Sequence, residues 1–193
     1  GTKVLVEVSS ESGEIREVDL ERRSVDLRPV RTKRLRDDSH TIGYLRITQF
    51  SESVPKKVEE ALQELKEKEV EGLILDLRNN SGGLVSSGIA VADSLLSEKP
   101  VVETKDRNGI KDAIISQKET SFDGPMVTLV NKGTASASEI LAGSLQDNER
   151  SILMGEQTYG KGLIQSLKSL GEDSGIAITV ASYLTPKGNN IQG

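Results

Sequence analysis

The chain has 193 residues, of which 35% are hydrophobic and 28% charged, a composition typical of a globular protein that buries a core. Its formal net charge of −5 argues against a nucleic-acid-binding surface, and no apolar run reaches the roughly 18 residues that a membrane span requires. The absence of cysteine excludes disulfides, thiolate nucleophiles and zinc sites with cysteine ligands.

The first forty residues contain two predicted strands and a polar connector. Apolar and polar residues alternate over 2–8 and 14–20, on either side of a turn rich in serine and glycine, and this pattern predicts a β-hairpin. Residues 21–41 are polar and charged, which is typical of a solvated connector with room for one short strand near 25–30.

From Ile42 onwards, segments with strand and helix periodicity alternate. Residues 43–50 read as a half-buried strand, residues 54–68 as an amphipathic helix, and the apolar run 73–75 as a buried strand. The remaining predicted elements are helices at 84–96 and 135–146 and strands near 100–104, 111–116, 125–130, 151–154, 163–168 and 176–184. This alternation predicts an α/β layered core with a central, largely parallel sheet.

The loop from Asp76 to Gly83 joins a predicted buried strand to a predicted helix. Ligands bind at this end of the strands in open α/β sheets, and Gly82 and Gly83 leave backbone N–H groups approachable at a helix start. Such a loop can bind phosphate or stabilise an oxyanion. A tight turn is the simpler interpretation, and the lysine of a phosphate-binding loop is missing.

A second strand-to-helix loop, residues 131–140, is crowded with small side chains. Ser136 lies at or near the predicted helix start, where the N–H of Ala137 could point at an oxyanion. The competing interpretation is structural: Ser136 or Ser138 caps the helix.

A nucleophilic serine needs a base, and the sequence offers few candidates. The sole histidine, His40, lies in a polar stretch and reads as an exposed loop residue. Lysine is the remaining familiar choice, although it must be buried to lower its pKa from about 10.4. Lys161 lies between Gly160 and Gly162 among apolar residues, and the glycines would let the backbone approach another strand. An ordinary turn lysine fits this pattern equally well.

Three segments together resemble the tail-specific, carboxy-terminal processing peptidases. Residues 134–140 around Ser136 and residues 159–165 around Lys161 are similar to that family's two signatures, at its spacing. Residues 76–83 resemble its DLRNNPGG loop, with Ser81 in place of the usual proline. The resemblance covers nearly all of 42–193.

The resemblance implies a ClpP/crotonase-like fold and a serine peptidase with a Ser136–Lys161 dyad. Gln165 matches the family's third polar residue, which orients the lysine, and the N–H groups of Gly82 and Ala137 would hold the oxyanion. An acyl-enzyme would form on Ser136, and no cofactor is implied.

The resemblance also implies the domain organisation and the setting. Residues 1–22 would be the C-terminal strands of a truncated PDZ domain, 23–41 a connector, and 42–193 a peptidase core that continues beyond Gly193. The implied substrates are proteins or peptides with apolar C-termini. Family members act outside the cytoplasm, in the periplasm, cell envelope or thylakoid lumen, and the same is expected here.

Two other functions on the same fold stay open at this point. One is a non-catalytic ligand-binding relative, and the other is an acyl-CoA enzyme that uses two backbone N–H groups for a thioester enolate. Neither requires Ser136, Lys161 and Gln165 together.

Overall fold

The computed structural model describes residues 1–23, 28–36, 39–117, 119–171 and 174–193. Its strands and helices follow in the order β1 (Lys3–Ser9), β2 (Ile15–Glu21), β3 (Val30–Arg36), β4 (Thr41–Ile47), α1 (Val54–Glu67), β5 (Gly72–Asp76), α2 (Val85–Leu95), β6 (Pro100–Asp106), β7 (Gly109–Ile115), β8 (Met126–Val130), α3 (Ala137–Asp147), β9 (Ile152–Gly155), β10 (Leu163–Gly171) and β11 (Ser174–Leu184).

The central sheet has five strands in the order β3-β4-β5-β8-β9. Neighbours from β4 to β9 are parallel, and only β3 runs antiparallel to its neighbour β4. Both Leu73 and Leu75 of β5 are buried, as the short apolar run predicts for a strand inside a layered sheet. The prediction of an α/β fold with a largely parallel central sheet is confirmed.

Strand β3 lies in the segment that the sequence analysis assigned to a connector. The strand predicted near 25–30 partly falls outside the described residues, and the structure places a strand at Val30–Arg36 instead. Arg31, Lys33 and Arg34 give this strand a polar appearance. Charged side chains are common on edge strands, where they discourage pairing with other chains. Because the segment is so polar, it was predicted to be a solvated connector and not a strand.

The described residues also form two further sheets. Strands β1 and β2 pair antiparallel as a separate two-stranded sheet, which confirms the predicted hairpin. Strands β10-β11-β6-β7 form an antiparallel sheet, which the sequence analysis did not foresee. Its central pairing joins β6 to β11, segments far apart in the chain, and such a pairing leaves no local signal in the sequence.

The three helices of the described residues pack with the central sheet to form the core. Helix α1 turns one apolar face inward, as its spacing predicts; the buried residues are Val54, Val58, Ala61, Leu62 and Leu65. Helices α2 and α3 approach so closely that a Cβ atom added at Gly88 would lie 3.0 Å from the carbonyl oxygen of Ala137. The start of α3 is therefore held tightly against α2. No helix in the described ranges has both the length and the apolar character to cross a bilayer.

Candidate active site

Two loops meet at the carboxyl ends of adjacent parallel strands. Strand β5 ends at Asp76, which pairs with Leu129 near the end of β8, so the loops that follow start side by side. Asn79 and Asn131 join these loops: the Asn79 N–H donates to Asn131 Oδ1 at 2.8 Å, and Asn131 Nδ2 donates to Asn79 Oδ1 at 2.9 Å. This edge of the sheet is where α/β folds bind ligands.

The first loop is anchored by the buried carboxylate of Asp76. Arg78 donates to it through Nε at 2.9 Å and through a terminal nitrogen at 2.7 Å, and the Tyr44 hydroxyl donates at 2.5 Å. Burial by itself would raise the pKa of Asp76, but these hydrogen bonds, with the Arg78 N–H and charge, lower the pKa to about 2. Asp76 therefore remains ionised and fixes the base of the loop.

Ser136 lies immediately before α3 in a strained backbone conformation. Its φ of 57° and ψ of −119° fall in a region that residues other than glycine rarely adopt. Such strain costs about 1–3 kcal/mol and often marks a nucleophile presented on a sharp strand-to-helix turn. The neighbouring Ser138 is 0% exposed, and its hydroxyl donates to the Asn80 carbonyl at 3.0 Å. Of the two serines, only Ser136 is accessible.

A buried carboxylate connects the Ser136 turn to the loop of Lys161. Glu139, in the first turn of α3, is 5% exposed and accepts hydrogen bonds from three backbone N–H groups. They belong to Ser136 at 2.8 Å, Gly160 at 2.6 Å and Lys161 at 2.8 Å. This role of Glu139 was not predicted, although a serine followed three residues later by glutamate is a recognisable helix-capping pattern.

Lys161 and Gln165 line a pocket of about 490 Å³ beside this turn. The other lining residues are Ser81, Gly133, Ala135, Tyr159, Gly160, Leu163 and Gln192. Both side chains are exposed, and among the described residues no hydrogen bond joins Lys161 Nζ to Ser136 Oγ or to Gln165. Hydrogen bonds between catalytic groups often form only when substrate is bound, so this geometry is compatible with a dyad.

The glycines on either side of Lys161 allow close backbone contact, as predicted, but the contacting residues 192–193 lie outside any strand. A Cβ atom at Gly160 would lie 2.8 Å from the Gly193 nitrogen, and one at Gly162 would lie 2.5 Å from the Gln192 nitrogen. The Gly193 N–H donates to the Gly160 carbonyl at 3.2 Å, and the Gly162 N–H donates to Gln192 Oε1 at 3.1 Å. Together with the hydrogen bonds to Glu139, these contacts hold the backbone on both sides of Lys161 in sequence.

The two predicted oxyanion donors differ in their surroundings. Ala137 is the first residue of α3, and within the described ranges its N–H has no protein acceptor. The N–H of Gly82 donates to Asn80 Oδ1 at 2.9 Å. Gly82 nevertheless lies against the nucleophile turn, since an added Cβ would come within 2.9 Å of Ser136 Cβ. The role of Gly82 as an oxyanion donor stays a prediction.

Other candidate groups lie elsewhere. His40 precedes β4 and pairs with Glu71 at 2.8 Å, both side chains exposed, at the edge of the sheet opposite to the loops. It is therefore too far from Ser136 to act as its base. In the described part of the chain, no three histidine, aspartate or glutamate side chains are grouped so that they could hold a metal ion.

Comparisons with known proteins relate these features to one family. A family model described as peptidase family S41 matches residues 41–193. A carboxyl-terminal-processing protease of Synechocystis sp. is 48% identical over 98% of the chain, and the chloroplastic carboxyl-terminal-processing peptidase 2 of Arabidopsis thaliana is 41% identical over 96%. The solved photosystem II D1 C-terminal processing protease superimposes with a TM-score of 0.82 at 36% identity, over 99% of this chain.

The match covers only part of each relative. The chain spans 45% of the Synechocystis protein, 38% of the Arabidopsis protein and 53% of the solved structure.

Proposed function

Because the chain belongs to peptidase family S41, we propose that it forms the catalytic core of a serine endopeptidase that cleaves proteins near their carboxyl ends. One observation carries this proposal. The strained Ser136 and the backbone of Lys161 hydrogen-bond to the same buried carboxylate, that of Glu139. A nucleophile and a base on separate loops are thereby held at one fixed spacing beside a pocket.

In the proposed reaction, Ser136 Oγ attacks the scissile carbonyl while neutral Lys161 accepts its proton. The Ala137 N–H, with a second donor from the Gly82–Gly83 turn, stabilises the negative charge on the carbonyl oxygen. As the C–N bond breaks, Lys161 gives its proton to the leaving amine and an acyl-enzyme remains on Ser136. Water deprotonated by Lys161 then hydrolyses this ester, and Gln165 orients the lysine amine throughout.

Substrate binding completes this site. The lysine side chain is exposed in the pocket. A peptide that fills the pocket beside Tyr159 and Leu163 would exclude water from the reacting groups. These lining side chains also suit the apolar C-termini that we propose as substrates.

The setting and the domain organisation are proposed on the same basis. Residues 1–22 form the C-terminal strands of a PDZ domain and 42–193 the peptidase core, to whose central sheet strand β3, within the predicted connector 23–41, also belongs. The Arabidopsis relative is named as chloroplastic, and the Synechocystis relative is cyanobacterial. We accordingly assign the protein to an extracytoplasmic compartment, such as the thylakoid lumen, periplasm or cell envelope.

The test is proteolysis of a denatured protein with an apolar C-terminus, analysed by mass spectrometry, with an acyl-CoA incubated in parallel. We expect the protein that carries this chain to release C-terminal peptides and its Ser136→Ala variant to release none. Turnover of the acyl-CoA without proteolysis, or full proteolysis by Ser136→Ala, would overturn the proposal.

A further inference from the structure

We propose that Asn80 is a positioning residue: it engages the Gly82 N–H and thereby directs the Gly83 N–H to the oxyanion site as the partner of Ala137. This inference rests on the proposed function and specifies which backbone group supplies the second donor. Asn80 follows Asn79 in the first loop and is 0% exposed.

The Asn80 side chain bridges two segments of main chain. Its Nδ2 donates to the carbonyl of Ile47, the last residue of β4, at 3.0 Å, and its Oδ1 accepts from the Gly82 N–H at 2.9 Å. A donor faces a carbonyl and an acceptor faces an N–H, so the chemistry of the partners fixes the amide orientation. The Gly82 peptide nitrogen is therefore already used within the loop.

The Asn80 main chain is bound just as firmly to the nucleophile turn. Its carbonyl accepts from the Ala135 N–H at 3.0 Å and from the Ser138 hydroxyl at 3.0 Å. These two residues flank Ser136 and Ala137 in sequence. Asn80 thus connects the turn at Gly82 and Gly83 to the turn that carries Ser136 and fixes the distance between them.

The orientation of the Gly82–Gly83 peptide follows from its carbonyl. The Gly82 carbonyl accepts from the Phe50 N–H at 2.9 Å, and the described peptide bonds are all trans. In a trans peptide the next N–H points opposite to the carbonyl, so the Gly83 N–H points away from Phe50.

The side away from Phe50 is the side of the nucleophile. A Cβ at Gly82 would come within 2.9 Å of Ser136 Cβ and 3.2 Å of the Ala137 nitrogen, whereas a Cβ at Gly83 would lie 2.1 Å from the Phe50 oxygen. The peptide is packed between these two neighbours. Within the described residues the Gly83 N–H, like that of Ala137, has no protein acceptor. Two unused donors on one side of the turn match the requirement for an oxyanion site.

Without the Asn80 side chain, the Gly82 carbonyl keeps its hydrogen bond to the Phe50 N–H, but the Gly82 N–H loses its acceptor. Glycine has few backbone restrictions, so the turn could shift and tilt the Gly82–Gly83 peptide about its remaining hydrogen bond. A misplaced donor weakens binding of the tetrahedral oxyanion more than binding of the planar substrate, because the charge develops only in the transition state.

The first test separates positioning from general structural support, using Asn80→Ala and Asn80→Asp in the protein that carries this chain. For Asn80→Ala we expect kcat to fall roughly 10–100-fold with KM changed less than about threefold. Asn80→Asp keeps an acceptor for the Gly82 N–H and should retain more activity than the alanine variant. The control is Asn148→Ala, which removes another asparagine that donates to two carbonyls, of Pro100 and Ser144, away from the site.

Ligand affinities distinguish the two roles further. A peptide boronate, which forms a tetrahedral adduct on a nucleophilic serine, should lose affinity for Asn80→Ala in parallel with kcat. The dissociation constant of a substrate peptide, measured in a Ser136→Ala background, should not change when Asn80→Ala is added. Equal weakening of boronate and substrate peptide, or an unchanged kcat, would overturn the inference.

A crystal structure of the boronate adduct decides between the two glycines. We expect one boronate oxygen within hydrogen-bond distance of the Ala137 and Gly83 nitrogens, with the Gly82 N–H still on Asn80 Oδ1. An adduct whose oxygen binds the Gly82 N–H would overturn this inference and leave the proposed function standing. Failure of the boronate to react with Ser136 would overturn both.

Discussion

The carboxylate of Glu139 accepts a hydrogen bond from the backbone N–H of Lys161 at 2.8 Å. The same oxygen, Oε2, accepts from the Ser136 N–H at 2.8 Å. One atom therefore sets the separation of the main chains that carry the proposed nucleophile and base. Because the main chains of Ser136 and Lys161 are fixed relative to each other, only the lysine side chain has to change conformation to reach Ser136.

Replacement of Glu139 by glutamine tests whether its hydrogen bonds to Ser136, Gly160 and Lys161 organise the site. An amide keeps one acceptor oxygen but turns an NH₂ group towards N–H donors, so at least one of the three hydrogen bonds is lost. For Glu139→Gln we expect kcat to fall roughly 100-fold through misplacement of Ser136 and Lys161. The unfolding free energy should fall by about 1–3 kcal/mol because a buried N–H loses its partner. Steady-state kinetics and urea denaturation measure both effects.

Glu149→Gln is a matched control, since Glu149 is exposed beyond the end of α3. It should change neither the kcat nor the unfolding free energy. A Glu139→Gln enzyme with wild-type kcat would show that the carboxylate does not organise the site.

The two serines of the second loop should respond differently to alanine. Ser136→Ala removes the proposed nucleophile and should abolish cleavage while leaving the fold intact. Ser138→Ala removes a buried hydrogen bond to the Asn80 carbonyl and should lower the unfolding free energy by about 1 kcal/mol, with cleavage retained. Cleavage assays and denaturation curves on both variants check this. Loss of cleavage in Ser138→Ala alone would reverse the assignment.

Lys161→Arg separates charge from basicity. Guanidinium keeps the positive charge but stays protonated, so it cannot accept a proton from Ser136, and we expect no measurable turnover. Steady-state turnover of the wild type and the variant provides the measurement, and Lys132→Arg, an exposed lysine in the nucleophile loop, serves as the control. Near-normal turnover by Lys161→Arg would require another base.

Helices and strands whose apolar residues follow a regular spacing within the segment itself were predicted well from the sequence. Helix α1 was expected at 54–68 and is found at Val54–Glu67, because its apolar spacing specifies one buried face. The antiparallel sheet that contains β6 and β11 was not predicted, because its register depends on contacts between distant segments. Strand β3 was misplaced because its charges resemble those of a solvated connector.

The site shows the same division. The assignment of Ser136 and Lys161 as a dyad came from the family resemblance and stays a prediction, while the structure brings their two loops together through Glu139. Glu139 and Asn80 were not singled out, because their importance depends on which N–H groups the folded chain turns towards them. A buried glutamate or asparagine cannot be told from an exposed one by its local sequence alone.

The lowered pKa of Asp76 predicts how the unfolding free energy depends on pH in acid. Its pKa is lowered from 3.8 to about 2 in the folded chain, so the folded state binds this proton less readily than the unfolded state. The resulting stabilisation is fully present above about pH 4 and is lost as the pH falls towards about 2. A shift of this size corresponds to on the order of 2 kcal/mol of unfolding free energy.

The measurement is the difference in unfolding free energy between the wild type and Asp76→Asn, determined by urea denaturation from pH 6 down to pH 2. Asparagine at this position leaves Arg78 without its anion at every pH, so the variant is less stable at pH 6. The difference should shrink by on the order of 2 kcal/mol towards pH 2, because the wild-type carboxylate becomes protonated there. Asp19→Asn, in the exposed hairpin strand β2, controls for the acid response of the other carboxylates. A difference that stays constant with pH would mean that the Arg78 and Tyr44 contacts do not favour the ionised form of Asp76.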